Sequence, residues 1–508
     1  MSATTASTSP MSDAEHQRQL TKAVFAATVG TAIEWYDFFL YIVVTGTVFN
    51  KLFFPQENPL NGTLSAFGIY AVGFLSRPIG AYIFGNFGDR IGRKATLVST
   101  LLIMGIATFL VAFVPDYSSI GVWGAVILTV LRFVQGVGVG GEWGGSVLLS
   151  MEWARTNQNR GFLAAWPQFG VPAGLMLANL AVLIFTKLSG DQFLVWGWRW
   201  PFGLSIMLVA LGLWIRLGIL ETPVFARVQG ENKVAVAPAS EVIASHWPEI
   251  LLSAYARMSE QTPFYIFTAF VGFFVTVVMK QPPTLALWAV MGASAVSFVS
   301  NPLFGAISDR IGRKRMYAIG SALIALYGFA YYGMLSTGNG TLIAIAIVLS
   351  LIPHDMQYGP QAAMIAESFP PRLRYSGASM GYQLASVFAG GPAPLVATML
   401  YGFYKTPYAI AVYIAVCSAI TIAATWRLKD YTGRDIDAGD GAVRPMKVAN
   451  APLVIGLQAV ALVVALWGTK VFGLAGSATD PTVVTGSLLF WAVATLAAIF
   501  LMKDQNEA

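Results

Sequence analysis

Two heptapeptides decide the fold: Gly88–Lys94 reads GDRIGRK and Ser308–Lys314 reads SDRIGRK, with Asp309 lying 309 − 89 = 220 residues after Asp89. Basic segments so alike and so far apart indicate an internal duplication. Outward from each copy the chain is a succession of apolar spans. They fall at roughly 23–49, 63–87, 95–114, 120–149, 161–186, 200–220, 248–279, 284–307, 316–335, 341–366, 377–402 and 407–426, with two more at 451–473 and 483–502. Each approaches the ~20 residues that a helix needs to cross a bilayer. Each heptapeptide follows the second span of a six-span set, so residues 23–220 and 248–427 read as two equivalent halves. A weaker repeat agrees: Glu152 with Arg160 after the fourth span, Glu367 with Arg374 after the tenth. A tail (1–22), two linkers (221–247 and 428–450) and an additional helical hairpin (451–502) complete the chain.

The composition fits that reading. Of 508 residues, 56% are hydrophobic and 11% charged, against the ~25% charged of soluble domains. Too few polar side chains exist to cover a large water-soluble globule. Residues 1–22 are polar and lack the apolar middle and cleavage site of a signal peptide, and are read as a cytoplasmic tail. That placement puts Arg90, Arg93, Lys94, Arg155, Arg160, Arg227, Lys233, Arg310, Arg313, Lys314 and Arg315 in cytoplasmic loops. Lys51, Lys187, Lys280, Lys405 and Lys470 fall on the other side. This is a strong positive-inside bias, so both termini are expected in the cytoplasm. The net charge of +6 then reports topology, and nucleic acid is not expected as a partner. A single cysteine, Cys417, excludes an internal disulfide.

Three further stretches sharpen the picture. The first span holds GTAIEWYDFFLY (Gly30–Tyr41), the second FLSRPIGA (Phe74–Ala81) and the fourth RFVQGVGVGGEWGG (Arg132–Gly145). With the heptapeptides, these resemble the major facilitator superfamily and, within it, the metabolite:proton symporter family. WGWRWPF (Trp196–Phe202), His354–Asp355 and RYSGASMGYQLASV (Arg374–Val387) are most similar to shikimate-type organic acid transporters. The resemblance covers about residues 22–427. It implies an all-α polytopic membrane protein of the major facilitator fold with two pseudo-symmetric six-helix halves; the two extra C-terminal transmembrane helices at 451–502 depart from that twelve-helix pattern. It further implies a proton-coupled symporter, not an enzyme, importing a small organic acid such as shikimate by alternating access across a bacterial inner membrane. An osmolyte or zwitterion symporter, and an uncoupled facilitator or exchanger of the same fold, stand as alternatives. The expected partners are an anionic small molecule, a proton and the lipid bilayer, with the chain a monomer. No cofactor or metal is expected.

Charges inside the spans point to the chemistry independently. Glu34, Asp37, Arg77, Arg132, Glu142, Arg257, Glu260, His354 and Asp355 all lie there. Each acid or arginine costs ~3 kcal/mol at mid-bilayer; the eight apart from His354 would cost about 24 kcal/mol facing lipid, more than the ~5–15 kcal/mol stability of a typical fold. They must pair with one another or line a wet cavity. Arg257 and Glu260, spaced i, i+3, can form a fixed ion pair. Arg77 and Arg132 are candidate substrate ligands, because a guanidinium stays charged and its fork matches a carboxylate. For Arg132 the alternative is a conformational role, either pairing with a carboxylate of the first span or stabilising the fourth. Tyr36, Gln135, Gln168, Gln357, Tyr358 and Gln383 can supply neutral hydrogen bonds to hydroxyls.

Proton coupling needs carboxyls whose ionisation the protein can move. Glu34 and Asp37, i, i+3 in the first span, are candidates with Glu142, Asp355 and His354; neighbours on a helix diverge by about 100°, so His354 and Asp355 need not touch. Asp89–Arg93 and Asp309–Arg313 have i, i+4 spacing at helix ends. The resemblance implies that they latch the cytoplasmic side, with Glu152 and Glu367 as partners and Glu221, in ETPVF, in the same network. Gly136, Gly138 and Gly141 match GxGxxG literally. No strand precedes them, so dinucleotide binding is rejected; Gly136, Gly140 and Gly144 instead read as a helix-packing stripe.

Overall fold

The computed structural model describes residues 12–57, 59–154, 159–218, 220–230, 236–437, 442–469 and 481–505. Among them, thirteen helices are long and apolar enough to cross a membrane. Twelve of them are α1 (Asp13–Val44), α2 (Leu64–Ile91), α3 (Arg93–Val111), α4 (Trp123–Met151), α5 (Arg160–Gly197), α6 (Arg199–Leu217), α7 (Pro238–Val278), α8 (Pro283–Ile311), α9 (Arg313–Leu335), α10 (Gly340–Ala366), α11 (Arg374–Tyr404) and α12 (Tyr408–Arg427), and Pro481–Leu501 is the thirteenth. A further apolar helix, α13 (Ala451–Thr469), pairs with α14 (Pro481–Leu501), and α14 leans on α12. Arg155, Lys233 and Lys470 lie outside the described residues. Arg199, at the start of α6, adds a cation to the side opposite the heptapeptides, where it donates to Ala112 and Val114 carbonyls.

Two boundaries differ from expectation for local reasons. The helix α1 reaches back to Asp13, into the segment read as tail, because Ser12 accepts the Glu15 N–H at 3.2 Å and caps it. The helix α7 starts at Pro238, ten residues early, with proline in the first turn where its missing N–H costs nothing. It bends at His246 ahead of Pro248, which breaks the apolar pattern there.

Helices α2 and α4 approach closely because α4 is smooth on that side. A methyl at Gly136 would strike the Gly73 carbonyl and one at Gly140 the Arg77 carbonyl. The glycine stripe therefore serves helix packing, and it fixes the backbone of Arg77 against α4. The two halves meet where α2 packs on α11, and α5 on α8 and α10. The outer surface is apolar: Trp214, Val299 and Leu326 are 70–75% exposed, tolerable only where the solvent is hydrocarbon. Helices suit that solvent because they satisfy their own backbone. Gly92 (φ 107°) and Gly312 (φ 97°) turn α2 into α3 and α8 into α9. These turns mark one end of the bundle, the basic face.

Candidate functional site

Arg77 stands where two stretches of α2 meet. The helical stretches Pro59–Leu75 and Arg77–Ile91 are joined by Ser76, which keeps i, i−4 bonds to Val72 and from Gly80, while Pro78 in the next turn can donate none. The guanidinium is buried among aromatic rings, 4.1 Å from the Phe74 centroid, 4.3 Å from Phe38 and 5.5 Å from Trp35. Its Nε, Nη1 and Nη2 have no hydrogen-bond partner among the described residues. Arg132 of α4 lies beside the same ring: 4.1 Å from Phe38, 4.6 Å from Tyr41 and 5.0 Å from Tyr70. It donates to Gln135, while its Nε and Nη2 are unpartnered. No carboxylate of α1 reaches it, so the expected alternative of a pair with the first span is not formed. The N-terminal half thus holds two buried guanidiniums in an aromatic box without an acid.

The acids of that half face elsewhere. Arg216 of α6 places Nη2 2.8 Å from Glu34 Oε1 and 3.1 Å from Glu142 Oε1, so two carboxylates share one guanidinium. Asp37 accepts from Ser205 Oγ at 2.5 Å, its other oxygen is unpartnered, and it makes no ion pair among the described residues. Arg216 escaped the sequence reading although it lies in the sixth predicted span, where the test that singled out Arg77 applies equally.

The C-terminal half carries a chain of charged groups. Arg257 sits at a break between two helical stretches of α7. Its Nη2 lies 3.1 Å from Glu260 Oε2, and its guanidinium lies 3.3 Å from the Tyr382 ring centroid. Glu260 Oε1 is 3.6 Å from His354 Nε2, and His354 Nδ1 is 2.9 Å from Asp355 Oδ1. Asp355 then accepts from Ser297 at 2.6 Å and from Ser300. Arg257 and Glu260 form the anticipated i, i+3 pair but do not stop there. His354 and Asp355 do touch.

A small cavity lies between the halves, lined by Trp35 and Val171 on one side and by Arg257, Glu260, Gln261, Phe264, Tyr265, His354, Tyr358 and Tyr382 on the other. About 10 Å³ is free, room for roughly one water. Away from the basic face it is closed by rings, with Phe39 5.8 Å from Phe264 and Phe74 5.1 Å from Tyr265. Arg77 stands next to the cavity, 5.5 Å from the ring of Trp35, which lines it. Of the neutral hydrogen-bonding candidates only Tyr358 lines the cavity. Gln168 bridges the halves beside it, accepting from Trp143 at 2.8 Å and donating to the Tyr358 carbonyl at 3.4 Å, and Gln383 donates across to the Val139 carbonyl. Tyr36 donates to the Pro201 carbonyl, Gln135 to Thr108, and Gln357 accepts from Ser321; all three are spent inside their own halves. Trp35, Gln261, Tyr265 and Tyr382 were not anticipated, since single aromatic or amide residues in an apolar span carry no distinguishing pattern.

At the basic face the two loop repeats do the same thing, one in each half. Asp89 accepts the Tyr375 and Ser376 N–H groups at 3.3 and 2.9 Å, at the start of α11. Asp309 accepts the Gly161 and Phe162 N–H groups, both at 2.9 Å, at the start of α5. Each aspartate therefore neutralises the positive end of a helix of the other half. The arginines hold those aspartates from within their own half: Arg93 pairs with Asp89 at 3.4 Å and Glu152 at 3.2 Å, Arg313 with Asp309 at 3.0 Å and Glu367 at 2.7 Å. Glu221 accepts the Lys94 N–H at 3.2 Å and so supports the first of these networks. Arg160 crosses to Glu367 at 3.0 Å.

Comparison with known proteins agrees with this architecture. The profile described as "Sugar (and other) transporter" matches residues 22–245, and that described as "Major Facilitator Superfamily" matches residues 264–504. The chain is 38% identical over 435 residues to the shikimate transporter of Escherichia coli (strain K12), covering 85% of this chain and 99% of that protein. It is 36% identical over 422 residues to the inner membrane metabolite transport protein YhjE of the same organism, covering 81% and 96%. Among solved structures, the proton:xylose symporter XylE bound to 6-bromo-6-deoxy-D-glucose has the same fold, with a TM-score of 0.69 at 16% identity over 83% of this chain and 98% of that one. This protein is a multi-pass membrane transporter, not an enzyme, and it belongs to the major facilitator superfamily.

Proposed function

We propose that this protein imports a small organic acid anion, of the hydroxylated carboxylate class that includes shikimate, together with a proton, across a bacterial inner membrane with both termini cytoplasmic. The observation that carries the proposal is the pair Arg77 and Arg132: two buried guanidiniums beside one phenyl ring, with five nitrogens lacking a hydrogen-bond partner among the described residues. A desolvated cation needs an anion, and a carboxylate matches a guanidinium fork. Arg77 holds the carboxylate once Trp35 turns aside, and the hydroxyls meet Tyr358, Gln261 and Tyr382. A zwitterion would bring its own cation toward two arginines, so the geometry favours a plain anion over an osmolyte. The similarity to a shikimate transporter supports the substrate class.

Protons have two places to bind. Glu34 and Glu142 outnumber their one cation, Arg216, and Asp37 can exchange a proton without breaking an ion pair. In the other half, His354 lies between two acids, bonded to Asp355 through Nδ1 at 2.9 Å and with Nε2 3.6 Å from Glu260, so a proton on either nitrogen faces a carboxylate. Coupling by Glu34, Asp37, Glu142, His354 and Asp355 thus joins the cavity to both halves. Asp89, Arg93, Glu152, Glu221, Asp309, Arg313 and Glu367 close the basic face and must part for release there. The test is an uptake panel in cells lacking competing carriers: organic acid anions should compete with labelled shikimate, while betaine and proline should not. Competition by the zwitterions alone would reverse the choice of substrate.

A further inference from the structure

The segment that follows α12 is tied into the closed basic face by several side-chain bonds. Arg160, at the start of α5, donates to the carbonyls of Tyr431 (3.4 Å) and Arg434 (2.7 Å). Thr432 accepts the Arg313 N–H at 3.1 Å. Arg374, at the start of α11, pairs with Asp437 at 2.7 Å and donates to the Ile436 carbonyl at 3.3 Å. Residues 428–437 therefore touch, in one short stretch, the arginine that crosses between the halves and the first residues of both helices that the latch aspartates cap.

The stretch is also anchored from behind. Lys429 pairs with Asp504 at 2.6 Å, Asp504 accepts the Lys447 N–H at 3.1 Å, and Arg427 donates to the Phe500 carbonyl at 3.0 Å. Glu249 of α7 accepts the Met446 N–H at 2.6 Å. Both flanks of the stretch are thus stitched to the end of α14 and to α7. The pair α13–α14 adds no acid or arginine within its helices; it packs on the core through Tyr255, which donates to Gln458, and through Phe388, 6.1 Å from Trp491, and it reaches the basic face through this stitching.

We infer that residues 428–437, held in place by the α13–α14 pair through Asp504, form a clamp that favours the state closed at the basic face and slows its opening. This rests on the alternating-access reading above: when the start of α5 leaves α8 and α10, Arg160 must give up Glu367 and both clamp carbonyls together. The clamp makes the appended helices a brake on the carrier, with no part in binding or coupling.

The test uses Ser379→Cys as a reporter in a Cys417→Ser background. Ser379 is buried, with its hydroxyl against Gly144 of the other half, so a water-soluble maleimide reaches it only when the halves part. The full chain in nanodiscs is labelled without substrate. Asp437→Asn and Asp504→Asn, each breaking one partly exposed pair, should label about two- to fivefold faster, and Glu367→Gln, breaking the buried pairs, faster still. Wild-type rates in both asparagine variants beside a faster Glu367→Gln would overturn the clamp. Acceleration by Asp437→Asn alone would overturn the part assigned to α13–α14. An unchanged rate in Glu367→Gln would bring down the alternating-access reading, and the clamp with it.

Discussion

Replacing Arg77 by methionine separates a substrate ligand from a structural arginine. A structural arginine is paired, and removing one partner of a buried pair costs ~3–5 kcal/mol of stability. Arg77 has no ion-pair partner among the described residues. Its three guanidinium nitrogens are buried and unsatisfied, at ~1–3 kcal/mol for each such group, and ring faces 4.1, 4.3 and 5.5 Å away offset part of that. Methionine keeps the apolar contact and removes the charge, so the empty protein should be as stable as wild type or more stable by up to ~3 kcal/mol. Binding should move the opposite way. Truncating one side of a desolvated charged contact costs ~2–5 kcal/mol, or about 30- to 4,000-fold in affinity.

Thermal unfolding in detergent with and without an organic acid reads both effects. At a ligand concentration of 100 Kd the wild type gains ~2.7 kcal/mol, and a 100-fold weaker variant gains only ~0.4 kcal/mol at the same concentration. Arg77→Lys should recover part of the shift, because a point ammonium lacks the bidentate fork. An Arg77→Met protein that is destabilised when empty yet keeps the full ligand shift would refute the reasoning.

Glu34→Gln and Asp37→Asn should depress proton-driven accumulation more than exchange of substrate for substrate; equal loss of both would assign them a structural role. Asp89→Asn should slow transport while leaving binding within a few-fold of wild type, since its bonds lie at the basic face away from the cavity; isothermal titration of the purified variant decides this. His354→Gln should abolish the pH dependence of uptake between about pH 5 and 8, where an imidazole changes its charge, and should leave counterflow measurable; a pH profile unchanged from wild type would remove His354 from the proton path.

The duplicated heptapeptides and span lengths carried the architecture, because repeats and apolar runs are one-dimensional properties. The buried arginines were legible for the same reason: a charge in an apolar span is conspicuous whatever its neighbours. What each charge faces was not. Glu34 is matched with Arg216, 216 − 34 = 182 residues away, and Asp37 with Ser205, pairings that only the rotation of α6 against α1 determines. Tyr36, Gln135 and Gln357 were sensible hydrogen-bonding types at the right depth, yet they turn into their own halves, since depth follows from residue number and azimuth does not. The latch shows both sides. Its residues stood out in the repeat, but their partners across the seam are backbone N–H groups of α5 and α11, which no side-chain pattern announces.

The central claim is that an anion and a proton cross together. Proteoliposomes containing the purified protein, given an inwardly directed pH gradient and radiolabelled shikimate, test it most directly. The label should rise above its external concentration, collapse on addition of a protonophore, and fail to accumulate with Arg77→Met. Equilibration that never exceeds the external concentration and ignores the pH gradient would contradict coupled transport and leave a facilitator of the same fold.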